Sequence, residues 1–272
     1  MKSACVVVPV SGLGNRMRVV ASVSALARAR RQPLVVVWLS AWDCRAPFDR
    51  LFEPVDEPYL TLLTRGILYT PATKSNLFLP YLLRRLRGYT ERRAYRPCAP
   101  DAFPRLLDRS GRLYVDTCYS LYPYPVETLR RLFRPVPSLL SRIDSLARRF
   151  TPRTIGVHIR RADNRQSILR SPLSLFRARI DQLLDAGEAD LVYLATDDPH
   201  VKDYLRSRYG ARLLALPRKA DRHTPAGMDD AVVDLYALSR TTHIFGSYYS
   251  SFSETAAELS GVPLTIVSTP EP

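Results

Sequence analysis

The chain has 272 residues, of which 46% are hydrophobic and 24% charged, as in soluble globular proteins of one large or two small domains. A formal net charge of +14, from 40 Lys and Arg against 26 Asp and Glu, favours anionic partners such as nucleotides, nucleic acid or an anionic membrane surface. No apolar run of about 18 residues is present, so no membrane-spanning helix is expected. The four cysteines and four histidines show no metal-ligand spacing, which argues against a structural metal.

The chain begins with a strand–turn–helix pattern. Residues 4–10 form a valine-rich run that is too short for the core of a secretory signal and predicts a first strand instead. The cytoplasmic location that we expect rests on the four cysteines, which show no close pairing and indicate a reduced protein. Gly12 and Gly14 then permit a tight turn and a close approach of a ligand to the backbone. The third glycine of the dinucleotide fingerprint is absent, so an ordinary strand-to-helix turn fits equally well. An amphipathic helix is predicted from about Asn15 to Arg31.

A second strand is predicted from Pro33 to Leu39, again as a continuous apolar run suited to a parallel sheet. Asp43 lies just past its end, on the same edge as the glycine turn. Its carboxylate would meet a substrate hydroxyl there, or it would cap a helix. Phe48, Leu51 and Phe52 predict a short helix beneath that edge.

Residues 54–111 carry many prolines and a cluster of arginines, and they predict an irregular region with short helices and one strand near Ile67 to Thr70. The arginines suit an acceptor cleft, acidic lipid headgroups or an ordinary solvated surface; they are Arg84, Arg85, Arg87, Arg92 and Arg93. A strand follows from Arg112 to Asp116, and then two helices near 125–133 and 137–150. Thr151-Pro152 breaks the chain, which predicts two domains, 1–150 and 151–272.

The second half alternates strands and helices at short intervals. Strands are predicted near 154–160, 191–196, 212–216, 243–246 and 264–267, with helices near 171–186, 199–209, 225–239 and 251–259. This alternation indicates an α/β fold with a parallel, doubly wound sheet.

Three of these strand ends carry polar residues, and in such a sheet the carboxyl ends of the strands form the ligand-binding edge. Arg160 and Arg161 follow the strand that contains His158, and an arginine fork matches phosphate oxygens. Asp163 comes next, Thr196–Asp198 ends a second strand, and Ser247–Ser251 leads from a third into a helix. A helix start rich in hydroxyls offers donors to an anion, although solvated charges and a plain serine cap are the alternatives. Asp234, on the helix before, would accept from a purine or ribose, or it is a solvated acid.

These motifs, in this order, resemble those of the GDP-fucose-dependent fucosyltransferases, most of all the α1,6-fucosyltransferase group and more distantly the protein O-fucosyltransferases. The residues that carry the resemblance are Gly12-Leu13-Gly14-Asn15-Arg16, Gly156-Val157-His158-Ile159-Arg160-Arg161-Ala162-Asp163, Tyr193-Leu194-Ala195-Thr196-Asp197-Asp198, and Asp234 with Ser247-Tyr248-Tyr249-Ser250-Ser251-Phe252. The resemblance is dense over residues 154–267 and thin from 54 to 150.

The resemblance implies a GT-B architecture, in which two Rossmann-like domains with parallel sheets face a central cleft. Residues 1–150 would form the acceptor-side domain and residues 151–272 the nucleotide-sugar domain. It also implies an inverting, metal-independent enzyme without a cofactor. Such an enzyme transfers fucose from GDP-fucose to a hydroxyl of a glycan or glycoside acceptor.

The resemblance further implies a role for each matched residue. Arg160 would hold the donor pyrophosphate and stabilise the leaving GDP, supported by His158, Arg161 and Asp197. Asp234 would read the guanine or ribose, and the helix start at Ser250, Ser251 and Phe252 would bind phosphate. Gly12, Gly14, Asn15 and Arg16 would close the cleft from the first domain.

The chain departs from the α1,6 pattern in one place. A glutamate thought to act as base follows the arginine motif in those enzymes, whereas the stretch here is Asn164-Arg165-Gln166-Ser167-Ile168. Asp163 and Asp43 are therefore the candidate bases. The rivals are a transferase for another nucleotide-sugar, a non-catalytic nucleotide or nucleic-acid binder, and a structural protein with a degenerate site.

Nucleic acid is not an expected partner, because the chain lacks an aromatic stacking platform and a helix-turn-helix signature. The basic surface would instead serve the nucleotide and suit peripheral contact with the inner face of an anionic membrane.

Overall fold

A computed structural model describes residues 4–64, 81–162, 164–218 and 221–270 of the chain. The chain divides into two compact units, Met1–Val136 with Arg222–Pro225 and Pro137–Asp221 with Ala226–Pro272. Each unit is built around a five-stranded sheet whose described strand pairs are all parallel. The predicted α/β class with parallel sheets is therefore confirmed.

The first unit holds strands β1 (Ala4–Pro9), β2 (Leu34–Val37), β3 (Leu60–Leu63), β4 (Thr90–Arg92) and β5 (Arg112–Thr117), in the spatial order β3-β2-β1-β5-β4. Its helices are α1 (Leu13–Arg30), α2 (Phe48–Leu51), α3 (Tyr81–Leu86), α4 (Ala102–Arg109) and α5 (Val126–Leu132).

The predicted short helix around Phe48 is confirmed, and it closes an aromatic core. The ring of Trp38, just past β2, meets the ring of Phe48 edge-on at 5.5 Å between centroids, and Phe52 lies 5.2 Å from Phe48. All three side chains are buried together with Phe133. Edge-to-face aromatic packing of this kind adds directional contacts to the area that it buries. The segment that follows β2 is therefore anchored by buried aromatic contacts.

The prediction that residues 54–111 are irregular is wrong for two segments. β3 pairs with β2, from Leu34 opposite Leu60 onward, and β4 pairs with β5 at Glu91 opposite Tyr114. β4 is polar, so its sequence carries no apolar pattern; its partner strand supplies the extended conformation instead. The strand expected at residues 67–70 lies outside the described residues.

The second unit holds α6 (Pro137–Ala147), β6 (Thr154–Ile159), α7 (Arg165–Arg170), α8 (Leu173–Asp185), β7 (Leu191–Thr196), α9 (Pro199–Tyr209), β8 (Leu213–Leu214), α10 (Pro225–Leu238), β9 (Ile244–Ser247), α11 (Ser251–Ser260) and β10 (Leu264–Val267). The strands lie in the order β10-β9-β6-β7-β8. The order reverses between β6 and β9, which makes the gap at their carboxyl ends the topological switch point of this sheet.

Local chemistry explains why the second unit follows its predicted pattern so closely. Every residue of β6 and β7 is buried, as expected for central strands covered on both faces. Pro199 opens α9, and the Asp198 carboxylate caps it by accepting the backbone N–H groups of His200 at 2.8 Å and Val201 at 3.4 Å. A Cβ at Gly156 would lie 2.7 Å from Thr241 Oγ1, so only glycine lets the turn after α10 approach β6 this closely.

Two features are absent from the described ranges of the chain. None of the helices there combines the length and the apolar character needed to cross a membrane. In the same ranges, no three His, Cys, Asp or Glu side chains come together in a group that could hold a metal ion.

Candidate functional site

The switch point of the second unit is held together by one buried serine. Ser247 ends β9, and its Oγ accepts the backbone N–H of Arg160 at 3.0 Å while it donates to the carbonyl of His158 at 3.2 Å. These two bonds join β6 and β9 where the strands separate. The start of the Arg160 side chain is thereby placed at the carboxyl edge of the sheet.

Asp197 connects the arginine motif to the end of the neighbouring strand. Its Oδ1 accepts the backbone N–H of Arg161 at 2.6 Å, and its Oδ2 lies 3.2 Å from Arg160 Nε. The side chain of Arg160 keeps 24% of its surface exposed. Arg161 donates through Nη1 to the carbonyl of Ile168 at 3.3 Å. The structure thus brings Arg160, Arg161 and Asp197 together as predicted from their strand ends.

His158 lies beneath this edge as a neutral ring. Burial lowers its pKa to about 3, and the positive charge of Arg160 adds to the effect. The imidazole packs 4.9 Å from the ring of Phe252, and its buried Nδ1 has no hydrogen-bond partner among the described residues. An imidazole that stays uncharged supports the arginine by packing without adding positive charge.

The helix start after β9 presents its backbone N–H groups at the same edge. Ser250 is the N-cap residue of α11, but its side chain makes no capping hydrogen bond, so the ordinary serine cap is not what this serine provides. Tyr249 before it adopts φ of 54°, a left-handed conformation that turns the chain sharply from β9 into the helix. Ser251 and Phe252 open the first turn. The N-terminus of a helix attracts anions through its unpaired N–H groups and its dipole.

The segment that lacks the expected glutamate has a structural role that was not predicted. Asn164 caps α7 by accepting the Ser167 N–H at 3.2 Å, and its Nδ2 donates to the carbonyl of Tyr249 at 2.9 Å. Ser167 Oγ donates to the carbonyl of Tyr248 at 2.6 Å, and Tyr248 N–H donates to Ser171 Oγ at 2.8 Å. These bonds fix the turn that leads into α11. The only signal in the sequence was the spacing of Asn164 and Ser167, typical of a helix cap.

Two predicted acids of this unit remain to be considered. Asp163 lies outside the described residues. Asp234 is buried on α10, where its Oδ1 accepts the hydroxyl of Tyr193 at 2.6 Å. Burial raises the pKa of Asp234 to about 7, although the Tyr193 hydrogen bond and Lys202 oppose the shift. Its predicted contact with the guanine or ribose stays a prediction.

The glycine turn of the first unit lies at the carboxyl end of β1. Ser11 adopts φ of 72°, and Gly12 is the N-cap residue of α1. A Cβ at Gly12 would meet nothing within 4 Å in the described parts of the chain, so packing there does not require glycine. Asn15 donates to Ser11 Oγ at 3.0 Å, and Gly14 is buried in the first helical turn. Another group can therefore approach the backbone closely at Gly12.

Arg16 is only 1% exposed, and its hydrogen bonds stabilise this edge of the sheet. It donates to the carbonyls of Ser11 at 2.8 Å and Leu39 at 2.7 Å, and to Asp43 Oδ1 at 2.7 Å. These bonds tie the ends of β1 and β2 together. Asp43, with 28% of its side chain exposed, is therefore a partner of a buried arginine, which the sequence did not predict.

An exposed aromatic pair, also missed in the sequence, lies beside Asp43. Trp42 is 49% exposed, and its ring centroid lies 3.9 Å from that of His223. His223 Nδ1 is 2.7 Å from the Trp42 carbonyl oxygen, and the Arg45 N–H donates to the carbonyl of Arg222 at 3.1 Å. The segment Arg222–Pro225 therefore belongs to the first unit although it lies between β8 and α10 in the chain.

Neither a protein-family model nor a curated protein matches the sequence, but solved structures share the fold. NodZ α-1,6-fucosyltransferase, soaked with GDP-fucose, has a TM-score of 0.63 at 19% identity, over 97% of this chain and 94% of NodZ. A FUT1 variant of Arabidopsis thaliana, in complex with GDP, has a TM-score of 0.62 at 18% identity, over 99% of this chain and 71% of FUT1. POFUT1 in complex with GDP has a TM-score of 0.57 at 12% identity, over 98% of this chain and 99% of POFUT1.

The identity to these proteins is low, and the likeness therefore establishes the fold. The chain has the α/β GT-B fold of the GDP-fucose fucosyltransferases, as the ordered motifs predicted.

Proposed function

We propose that the protein is an inverting, metal-independent glycosyltransferase that transfers fucose from GDP-fucose to a hydroxyl of a glycan or glycoside. The observation that carries the proposal is the setting of Arg160. Ser247 holds its backbone and Asp197 aligns its guanidinium group at the switch point of the second sheet. The N-terminus of α11 begins at the same edge. The guanidinium group of Arg160 and the backbone N–H groups of α11 can therefore both donate hydrogen bonds to an anion there.

This arrangement suits the charge changes of the reaction. When the bond between the sugar carbon and the phosphate oxygen breaks, negative charge grows on the leaving GDP. The acceptor oxygen forms the new bond and gives its proton to a base. Hydrogen-bond donors that are already oriented stabilise such charge best where water is partly excluded. Arg160, held by Ser247 and Asp197, and the N–H groups of α11 are oriented donors of this kind. Positioned cations of the protein do here what a metal ion does in other transferases, which supports metal independence.

The remaining assignments of the site follow from the same proposal. Arg161 and neutral His158 support Arg160, Asp234 recognises the guanosine, and Ser250, Ser251 and Phe252 hold phosphate. In the first unit, Gly12, Gly14 and Asn15 approach the donor, and the proposed contribution of Arg16 is to shape that turn. The base is one of the two aspartates, Asp43 or Asp163. Asp43 would act with its Oδ1 bonded to Arg16.

The proposed location is the cytoplasm. All four cysteines carry free thiols, and Cys5 and Cys44 are buried. Reduced thiols are typical of proteins from that compartment.

Calorimetric titration with GDP, UDP and ADP tests the donor site. The wild-type protein should bind GDP selectively, and Arg160→Ala should weaken GDP binding by roughly ten- to a hundredfold, because a charge-assisted bond contributes about 1.5–3 kcal/mol. Arg153→Ala is the matched control, since Arg153 precedes the amino end of β6 and pairs with Asp190 at 3.3 Å. Unchanged GDP affinity in a folded Arg160→Ala protein would overturn the phosphate role.

Release of GDP from GDP-fucose in the presence of a glycan mixture tests catalysis. Activity that persists in a chelator supports a metal-independent reaction, and loss of activity in the chelator contradicts it. Binding of GDP without any release from GDP-fucose favours the rival interpretation of a non-catalytic binder. Release from a different GDP-sugar identifies another donor.

A further inference from the structure

Helix α3 (Tyr81–Leu86) has the reverse of the usual burial pattern of a surface helix. Its one buried residue is Arg84, which is 4% exposed, whereas Leu82 is 65% exposed and Leu86 is 72% exposed. Leucines usually form the buried stripe of a surface helix and arginines its outer face. Contacts within the first unit explain this reversal.

The cause lies in the anchoring of Arg84. Its Nε donates to Glu91 Oε1 at 2.6 Å and its Nη2 to Oε2 at 3.3 Å, and its guanidinium carbon lies 4.3 Å from the ring centroid of Tyr114. Glu91 belongs to β4 and Tyr114 to β5, so the arginine joins the helix to both strands. A guanidinium group that bonds twice to a carboxylate and also covers an aromatic ring fixes the orientation of the helix about its axis.

This rotation turns the leucines away from the protein. Positions 82 and 86 are one helical turn apart and lie on one face, opposite position 84. Tyr81, which is 60% exposed, and Leu83, which is 37% exposed, widen the apolar surface. Exposed apolar side chains that lie together on one helix face indicate an interaction site.

Exposed basic side chains accompany this apolar face along the chain. They are Arg85 on α3, Arg87 just after it, Arg92 at the end of β4, and Arg93. The only acid between residues 81 and 93 is Glu91, which is bound to Arg84. The surface therefore combines exposed leucines with an excess of positive charge. We use the term α3 surface for Tyr81, Leu82, Leu86, Arg85 and Arg87.

We propose that the α3 surface docks the protein on an anionic lipid bilayer. Leucine and tyrosine side chains enter the boundary between headgroups and acyl chains, while the arginines contact lipid phosphates. The charge complementarity selects an anionic bilayer over a neutral one. The proposal goes beyond the transferase activity and does not depend on it, since every residue that carries it lies in the first unit, away from Arg160 in the sequence.

Co-sedimentation of the full chain with phosphatidylcholine vesicles, with and without phosphatidylglycerol, tests the proposal. The wild-type protein should sediment with anionic vesicles only. The double variant Leu82→Ser with Leu86→Ser should lower the partition coefficient by roughly tenfold or more, because it removes the inserted apolar groups. Leu169→Ser, at a leucine that is 71% exposed on α7, is the matched control and should bind like wild type.

The charge requirement is tested with Arg85→Gln and Arg87→Gln together, where each lost arginine should weaken binding roughly fivefold. Arg148→Gln with Arg149→Gln removes the same charge from an exposed pair in the second unit and should have little effect. The variant Leu86→Trp provides an independent readout, since the fluorescence of the introduced indole should shift to the blue when anionic vesicles are added.

Three outcomes would overturn the proposal. They are wild-type binding by the leucine double variant, equal binding to neutral vesicles, and an unshifted fluorescence spectrum of the Leu86→Trp protein in the presence of anionic vesicles. Binding of RNA without binding of vesicles would assign the surface to nucleic acid instead.

Discussion

Each unit of the protein places an arginine near the carboxyl edge of a parallel sheet, and the two arginines differ in what surrounds them. Arg16 is 1% exposed and is bonded to two backbone carbonyls and to Asp43. Arg160 has 24% of its side chain exposed, and Asp197 aligns it from one side. The first arginine stabilises its sheet edge, whereas the second is the one proposed to bind the donor phosphates. Residue type and strand position alone therefore do not distinguish a buried structural arginine from a partly exposed one.

Glu57 of the first unit also differs from Asp234 and His158 of the second in the effect that burial has on its pKa. In the first unit, burial by itself would raise the pKa of Glu57, but hydrogen bonds from Arg131 and Arg28 outweigh burial and lower it. In the second unit, burial dominates, so the pKa of Asp234 is raised to about 7 and that of His158 is lowered to about 3. Glu57 is thus buried as an ion paired with arginines, whereas burial favours the neutral forms of Asp234 and His158.

The largest expected effect comes from removing the guanidinium group of Arg16. Arg16→Met should lower the free energy of unfolding of the first unit by about 3–5 kcal/mol, because Asp43 and the two carbonyls lose a buried partner. Both tryptophans, Trp38 and Trp42, lie in this unit, so urea unfolding followed by tryptophan fluorescence measures it directly.

Arg160→Met is the matched control for that experiment. Because Arg160 lies in the second unit and both tryptophans lie in the first, its effect is followed by far-ultraviolet circular dichroism. The free energy of unfolding should change by less than about 1 kcal/mol, as expected for a partly exposed side chain, while GDP binding weakens. Similar losses of stability in both variants would contradict the view that Arg16 stabilises the fold and that Arg160 does not.

A smaller effect is expected from the pH dependence of the second unit. The folded state holds the proton of Asp234 up to about pH 7, whereas the unfolded state releases it near its ordinary pKa of 3.8. The folded state thus binds more protons between these values, and stability falls as the pH rises through this window. Asp234→Asn should gain stability relative to wild type from pH 4 to pH 8, on the order of 3 kcal/mol.

Urea unfolding followed by far-ultraviolet circular dichroism measures this difference at each pH. Other titrating groups, including His158 and Glu57, are common to both proteins and cancel in the comparison. A difference between variant and wild type that does not change with pH would show that Asp234 is ionised in the folded protein.

The smallest effect tests how Arg160 is aligned. Asp197→Asn keeps a side-chain oxygen for the Arg161 N–H but removes the charge next to Arg160 Nε. GDP affinity should fall by roughly three- to tenfold, because the lost ion pair is partly exposed and contributes about 1 kcal/mol. Isothermal titration measures the change, with Asp190→Asn as a control at the opposite end of the sheet. GDP affinity equal to that of wild type would show that Arg160 is positioned by its backbone alone.

Much of the second unit could be predicted from the sequence because its signals are local. The runs at β6 and β7 are buried on both faces, and Pro199 with Asp198 marks a helix start unambiguously. The neighbourhood of Arg160 and Asp197 followed from a general rule about strand ends, since parallel strands bring their carboxyl ends to one edge.

Other features depend on contacts that no local pattern encodes. β4 is extended because it pairs with β5, and α7 is a short capped helix without an apolar period. Arg16 and Asp43 are far apart in the sequence, and only the parallel pairing of β1 and β2 brings their strand ends together. Burial of an arginine is a tertiary property, so the contacts of Arg16 with Asp43 and the two carbonyls could not be predicted from the sequence.

The segment Arg222–Pro225 has a consequence for protein engineering. Because it lies between β8 and α10 in the chain but belongs to the first unit, neither unit is a single uninterrupted stretch of sequence. A chimera that takes the second unit from another protein of this fold, joined once near Val136 and Pro137, would replace the segment Arg222–Pro225 as well and would remove His223, which contacts Trp42. Recombination of such halves therefore requires three junctions, or a graft that restores His223.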